Sequence, residues 1–345
     1  MIVRAAAAAL SPAGPRARLA IFIFHRVHRV PDPLFPGEAD AAGFDAACGW
    51  LARWFRVLPL HEAVQRLSAG TLPARAAAIT FDDGYADNHD VALPLLRRHG
   101  LTATFFVATG FLDGGCMWND IVIEAMRHAP AGPLAVADLL PAPGEGEGNG
   151  DGGGDHDREA PLAPLVLGDA ASRRDACHAL IVRLKYLPPA ERAERCAAIA
   201  RRAGSPRPPT PMMTGAQVRA LHHAGMGIGA HTLTHPILAR LPRAAIEQEV
   251  LGSRRALESL LGAPVPLFAY PNGKPGEDYG PEAVAVVREA GFAAAVSTAW
   301  GAAGAGSEAH QLPRFTPWGR ERWRWAALLL DQLRRPVPVV RHRVA

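Results

Sequence analysis

Short apolar runs alternating with helix-like segments are the feature that most constrains this chain. Residues 19–24 read as a strand, 43–55 as an amphipathic helix, 57–60 as a short strand and 61–69 as a second helix. The apolar run Ala76–Phe81 follows, then helical periodicity over 87–99 with Gly100 as its stop, and a strand rich in β-branched and aromatic residues over 102–109. The alternation returns at 226–261, 267–270 and 281–297. Repeated βα units imply a largely parallel sheet with helices outside it, and such sheets present chemistry at the carboxyl ends of their strands.

Three of those strand ends are polar. The run Ala76–Phe81 ends in Asp82, Asp83 and Gly84. Successive strand residues point to opposite faces, so the two carboxylates cannot both do one job: one could bind a metal while the other acts as a base. A strand-to-helix turn, capped by Asp with Gly84 at positive φ, would explain the same three residues. Far along the chain stand His231 and His235, four apart, with Thr232 where a zincin helix would carry Glu. Pro236 places the pair in a loop or at a helix start. One carboxylate with two imidazoles leaves coordination positions open, the pattern of a catalytic metal site. The third end, Tyr270, Pro271, Asn272 and Gly273, is a turn that frees backbone N–H groups to face a cavity.

In this order the motifs resemble the polysaccharide deacetylases, carbohydrate esterase family 4 with its NodB-homology domain. Thr80-Phe81-Asp82-Asp83-Gly84 is similar to the first family motif and His231-Thr232-Leu233-Thr234-His235-Pro236 to the second. Phe268-Ala269-Tyr270-Pro271-Asn272-Gly273 is similar to the third, in the form seen in the branch resembling poly-N-acetylglucosamine deacetylases. His25-Arg26-Val27 also resembles that branch. An Arg common elsewhere in the family is replaced by Ala269.

The resemblance implies an α/β fold, a distorted (β/α) barrel of about seven strands over residues 19–318. It implies a divalent metal, zinc by ligand type, on Asp83, His231 and His235, with Asp82 as general base. A backbone N–H around Tyr270 would serve the oxyanion. The family draws its general acid from a late His; His310 fits by position, and His25 at the end of the first strand is the alternative. Arg314 would bind substrate or orient an aspartate, and Trp300 would line the groove as a sugar-stacking surface; His25 joins them as a substrate-binding candidate. The implied activity is removal of N-acetyl groups from an N-acetylhexosamine-containing polysaccharide, glycolipid or sugar precursor. A non-catalytic carbohydrate-binding relative is the alternative. A phosphatase of the haloacid dehalogenase kind wants Asp-x-Asp, which Asp82-Asp83-Gly84 lacks.

Residues 130–210 interrupt the barrel. Positions 144–155 hold only Gly, Glu, Asp and Asn, too polar to order themselves and without the spacing of a calcium loop. Residues 169–203 read as two helices broken at Pro188-Pro189. The net charge of +4 is too small to imply nucleic acid. It is uneven, because residues 320–345 carry seven Arg against two acids. The segment 319–345 therefore reads as a basic, Trp-bearing helix and tail that packs on the barrel or lies on an anionic membrane surface. Cys48, Cys116, Cys177 and Cys196 lack metal spacing. Scattered thiols and an interrupted N-terminal apolar stretch point to the cytoplasm, with the inner membrane face as an extension.

Overall fold

A computed structural model describes residues 2–140, 163–205, 210–316 and 321–335. The Gly/Asp-rich stretch 144–155, Trp318 and the basic tail 336–345 lie outside the described residues. The chain divides into two compact units, one of Met1–Pro31, Gly37–Gly114 and Met212–Ala345, the other of Asp32–Pro36 and Gly115–Pro211.

The first unit is built on one curled parallel sheet. Its strands are β1 (Ala20–Phe24), β2 (Arg56–Val57), β3 (Ala76–Phe81), β4 (Thr104–Val107), β5 (Gly227–Ala230), β6 (Leu267–Ala269) and β7 (Ala294–Val296). They run in the order β1-β3-β4-β5-β6-β7, with β2 added at the start of β3. An extended segment through Leu312 and Phe315 joins the two edges. Leu312 exchanges backbone hydrogen bonds with Ala295 and Ser297, and Phe315 with Ile21 and Ile23. The sheet is thereby closed upon itself, as the expected seven-stranded barrel requires.

Side-chain alternation sorts the core. Ile21, Ala78, Phe106, Leu267, Ala269 and Val296 belong to one buried cluster. Phe22, Ile79, Phe105, Ile228, Phe268 and Ala295, one residue out of step, belong to another that includes helix residues such as Phe44, Leu51 and Val250. Burial on both faces is why these strands read as continuous apolar runs. Thr80 and Asp82 continue the Ala76–Ala78 series, so Asp82 emerges on the face shared with Phe106.

The helix expected over 87–99 starts differently. Asn88–Ala92 forms a wide π-type turn, and the α-helix spans only Leu93–Arg98. Pro94 has no N–H to donate and the Leu93 N–H reaches back to the Asn88 carbonyl. The final helix, Arg322–Gln332, buries Trp325, Ala326 and Leu329, leaving Arg322, Trp323 and Arg324 exposed. No described helix is long and apolar enough to cross a membrane.

The second unit has its own core of Val122, Met126, Leu180, Leu184, Cys196 and Ile199. It contains the two expected helices, Ala170–Leu184 and Pro189–Arg202, and also Trp118–His128, which lies before the composition break at 130. A small antiparallel ladder pairs Gly132–Leu134 with Leu165–Leu167. Arg127 fixes the Asp32 carboxylate with two bonds of 2.8 and 2.7 Å. The four cysteines are free.

Candidate active site

Asp82, Asp83 and His231 sit immediately past the carboxyl ends of β3 and β5, and the loop after β5 carries His235. Asp82 still follows strand geometry, its N–H donating to the Phe24 carbonyl. Asp83 does not: its φ of 77° turns the chain out of the strand. That turn lets neighbouring carboxylates take different surroundings on the same rim.

Asp83 meets both imidazoles. Its Oδ1 lies 3.4 Å from His231 Nε2 and 3.4 Å from His235 Nε2. One ligand atom from each of the three residues falls within 4.8 Å of the others. For metal bonds of ~2.1 Å, a tetrahedral ion spaces its ligands by about 3.4 Å, so this set fits one divalent ion. His231 Nδ1 is 2.8 Å from the Ala269 carbonyl, the bond that leaves Nε2 bare for an ion. Asp83, His231 and His235 thus form a possible metal-binding triad.

The electrostatics distinguish the members. Burial opposes ionisation of Asp83, yet the His231 hydrogen bond and the charges of His235 and His25 hold its carboxyl well below the usual range. Burial works against the His231 imidazolium, but Asp82 and Asp83 more than offset it and its pKa is raised. His235 goes the other way: burial, with a further push from His231, brings it to about 4 despite Asp83.

Asp82 has a separate partner. Arg314 is fully buried and grips both carboxylate oxygens, Nη1 to Oδ1 and Nη2 to Oδ2, each at 2.6 Å. Its Nε donates to the Ser297 carbonyl at 3.0 Å and Nη1 also reaches Thr80 Oγ1 at 3.2 Å. Burial alone would raise the Asp82 pKa; Arg314 first, then His231 and His25, bring it below its ordinary 3.8. The second oxygen remains 4.0 Å from His231 Nε2, beside the triad.

Arg314 takes the second of its two expected roles, orienting an aspartate: its guanidinium is spent on Asp82, Ser297 and Thr80 and has no open face for a substrate. Three other sequence-based assignments need correction. Tyr270 is buried against Tyr279, its hydroxyl donates to the His310 carbonyl and its N–H donates to Val296, so neither group is free for an oxyanion. His310 pairs through Nε2 with the Phe292 carbonyl, before the start of β7 and at the wrong end of the sheet for the triad. Trp300 is exposed but faces Arg335, and Leu333 in that same terminal segment binds Arg18, just before β1. Its ring therefore lies toward the amino ends of the strands. His25, by contrast, is exposed at the carboxyl end of β1, where its charge acts on Asp82, Asp83 and His235.

One residue of the site escaped the sequence reading. Glu249 accepts hydrogen bonds from the backbone N–H groups of Leu233 and Thr234, inside the loop between the two histidines. Its only sequence signal was a position in the helix that follows the loop.

The sequence model of the family described as "Polysaccharide deacetylase" matches residues 69–129 and 196–295. The first segment holds Asp82 and Asp83, the second His231 and His235. A Bacillus subtilis (strain 168) protein named "Putative polysaccharide deacetylase YxkH" is 32% identical over 93 residues, 26% of this chain and 32% of that protein. The match therefore spans about a third of that relative's length. In structure the chain is similar to the Streptococcus pyogenes deacetylase PplD, with a TM-score of 0.58 and 17% identity over 92% of this chain and 99% of that one. IcaB from Ammonifex degensii gives 0.55 and 17% over 93% and 98%. These likenesses carry the fold; the family match, over just under half of the chain, holds all three ordered motifs, and in those segments the chain is similar to the polysaccharide deacetylase family.

Proposed function

We propose that this protein is a metal-dependent N-deacetylase acting on a glycan or glycolipid that bears N-acetylated hexosamine. The observation that supports the reading is the different surroundings of two adjacent aspartates. Asp83 closes a triad with two imidazoles, while Asp82 is turned aside and held ionised by Arg314.

Two imidazole nitrogens and one carboxylate oxygen suit zinc. When bound, such an ion polarises the acetyl carbonyl and lowers the pKa of water toward ~7. The protein supplies the rest. Asp82, ionised at neutral pH and beside the triad, takes the proton of the attacking water. Arg314 keeps that carboxylate aimed and charged. His25, the exposed imidazole on the same rim, gives a proton to the leaving amine. The resemblance to poly-N-acetylglucosamine deacetylases supports an oligomer of N-acetylglucosamine as first substrate to try.

The test is acetate release from N-acetylglucosamine oligomers by protein stripped with a chelator and then given Zn2+. The reading expects release that disappears on stripping and returns with the ion. Release that survives stripping would refute metal dependence.

A further inference from the structure

The His231 N–H still donates to the Val107 carbonyl, but past it the loop that leads to His235 has no helix or ladder to fix it. Thr232 and His235 both adopt left-handed backbone, with φ of 65° and 53°. Such conformations persist in non-glycine residues only when their surroundings hold them. Thr232 contributes locally: its hydroxyl donates to the His231 carbonyl at 2.5 Å and accepts the His235 N–H at 3.0 Å.

The stronger hold comes from the helix Arg243–Leu261. Leu233 N–H and Thr234 N–H both donate to one atom, Glu249 Oε2, at 2.8 Å each. The Thr234 hydroxyl donates to Oε1 at 2.6 Å. Two successive N–H groups converging on a carboxylate form a small anion nest, and charge-assisted bonds of this kind are about twice as strong as neutral ones. The carbonyl side is held separately. Thr109 and Gly110 donate their N–H groups to the Thr232 and Leu233 carbonyls at 3.2 and 2.8 Å. A Cβ at position 110 would stand 2.6 Å from the Leu233 oxygen, so only glycine permits that approach.

We propose that Glu249 is a positioning residue that fixes the separation of His231 and His235, and so sets metal affinity. This rests on reading Asp83, His231 and His235 as the metal site. Glu249 touches none of the three. It acts through the two peptide units between the imidazoles, where a loose loop would let His235 swing away from Asp83.

The experiment compares Glu249→Gln and Glu249→Ala with wild type in zinc affinity, by chelator competition, and in the visible spectrum of the Co2+-loaded protein. Glu247→Gln, on the same helix and paired with Arg243, is the control. Outer groups of this kind are worth roughly 10–100-fold in metal affinity. The expected result is a loss of about tenfold or more for Ala, a smaller loss for Gln and an altered Co2+ spectrum, with no change for the control. Wild-type zinc affinity and an unaltered spectrum in Glu249→Gln would overturn the proposal, and that variant keeps the test open if Ala fails to fold. Failure of wild type to bind zinc would instead overturn the metal reading beneath it.

Discussion

Replacing Arg314 by Met isolates what the buried guanidinium does for Asp82. Met keeps apolar bulk but removes two bonds of 2.6 Å to the carboxylate, with those to Ser297 and Thr80. Asp82 is left buried without its main countercharge. Breaking a buried pair by removing one partner costs about 3–5 kcal/mol. The cost depends on pH. In wild type the depressed Asp82 pKa contributes stability that is present above the ordinary 3.8 and is lost as pH falls through the folded value. In the variant burial dominates, the folded pKa rises above the unfolded one, and the stability lost grows as pH rises through it. Urea unfolding at pH 5 and pH 8 should therefore show the larger deficit at pH 8. The acid limb of the deacetylation rate should move upward, because Asp82 must be ionised to accept a proton. Adding Asp82→Asn to the Met variant should recover part of the stability, since no charge is left stranded. A loss below about 1 kcal/mol at both pH values, with an unmoved acid limb, would refute the reasoning.

Other expectations follow from the same geometry. His25→Gln should lower kcat by about 10²–10⁴ with zinc content unchanged, as loss of a general acid does, whereas His310→Gln should leave kcat within a few-fold; equal losses would contradict their placement at opposite ends of the sheet. Zinc affinity should fall as pH drops through the raised pKa of His231, where one proton competes with the ion, while His235, at about 4, adds no competition until much lower pH. Chelator competition across pH 5–8 measures it, and a flat profile would contradict it. Gly84→Ala places a Cβ 3.1 Å from Val107 at a φ of 92° and should cost about 1–3 kcal/mol in denaturant unfolding.

What was legible in the sequence was local. The strands buried on both faces announced themselves as apolar runs, and Asp82-Asp83 and His231–His235 carry their chemistry in a few consecutive residues. What was not legible depended on the closing of the sheet. The segment through Leu312 and Phe315 runs parallel to β7, so His310 falls at its amino end while Arg314, four residues later, reaches the carboxyl end. No spacing rule shows which of the two faces the triad. Position 269, where many family members carry Arg, is a buried alanine, and the guanidinium that meets Asp82 arrives from far along the chain. The Tyr270 N–H looked free because a turn follows it, yet it extends the ladder to Val296. Glu249 was invisible because two of its three donors are backbone N–H groups, which leave no trace in composition.

The most direct measurement pairs metal content with acetate release in wild type and Asp82→Asn. If Asp83 serves the ion and Asp82 the proton, the variant keeps one equivalent of zinc and loses nearly all release from N-acetylglucosamine oligomers. Full activity in the variant, or loss of zinc together with activity, would contradict that separation of roles.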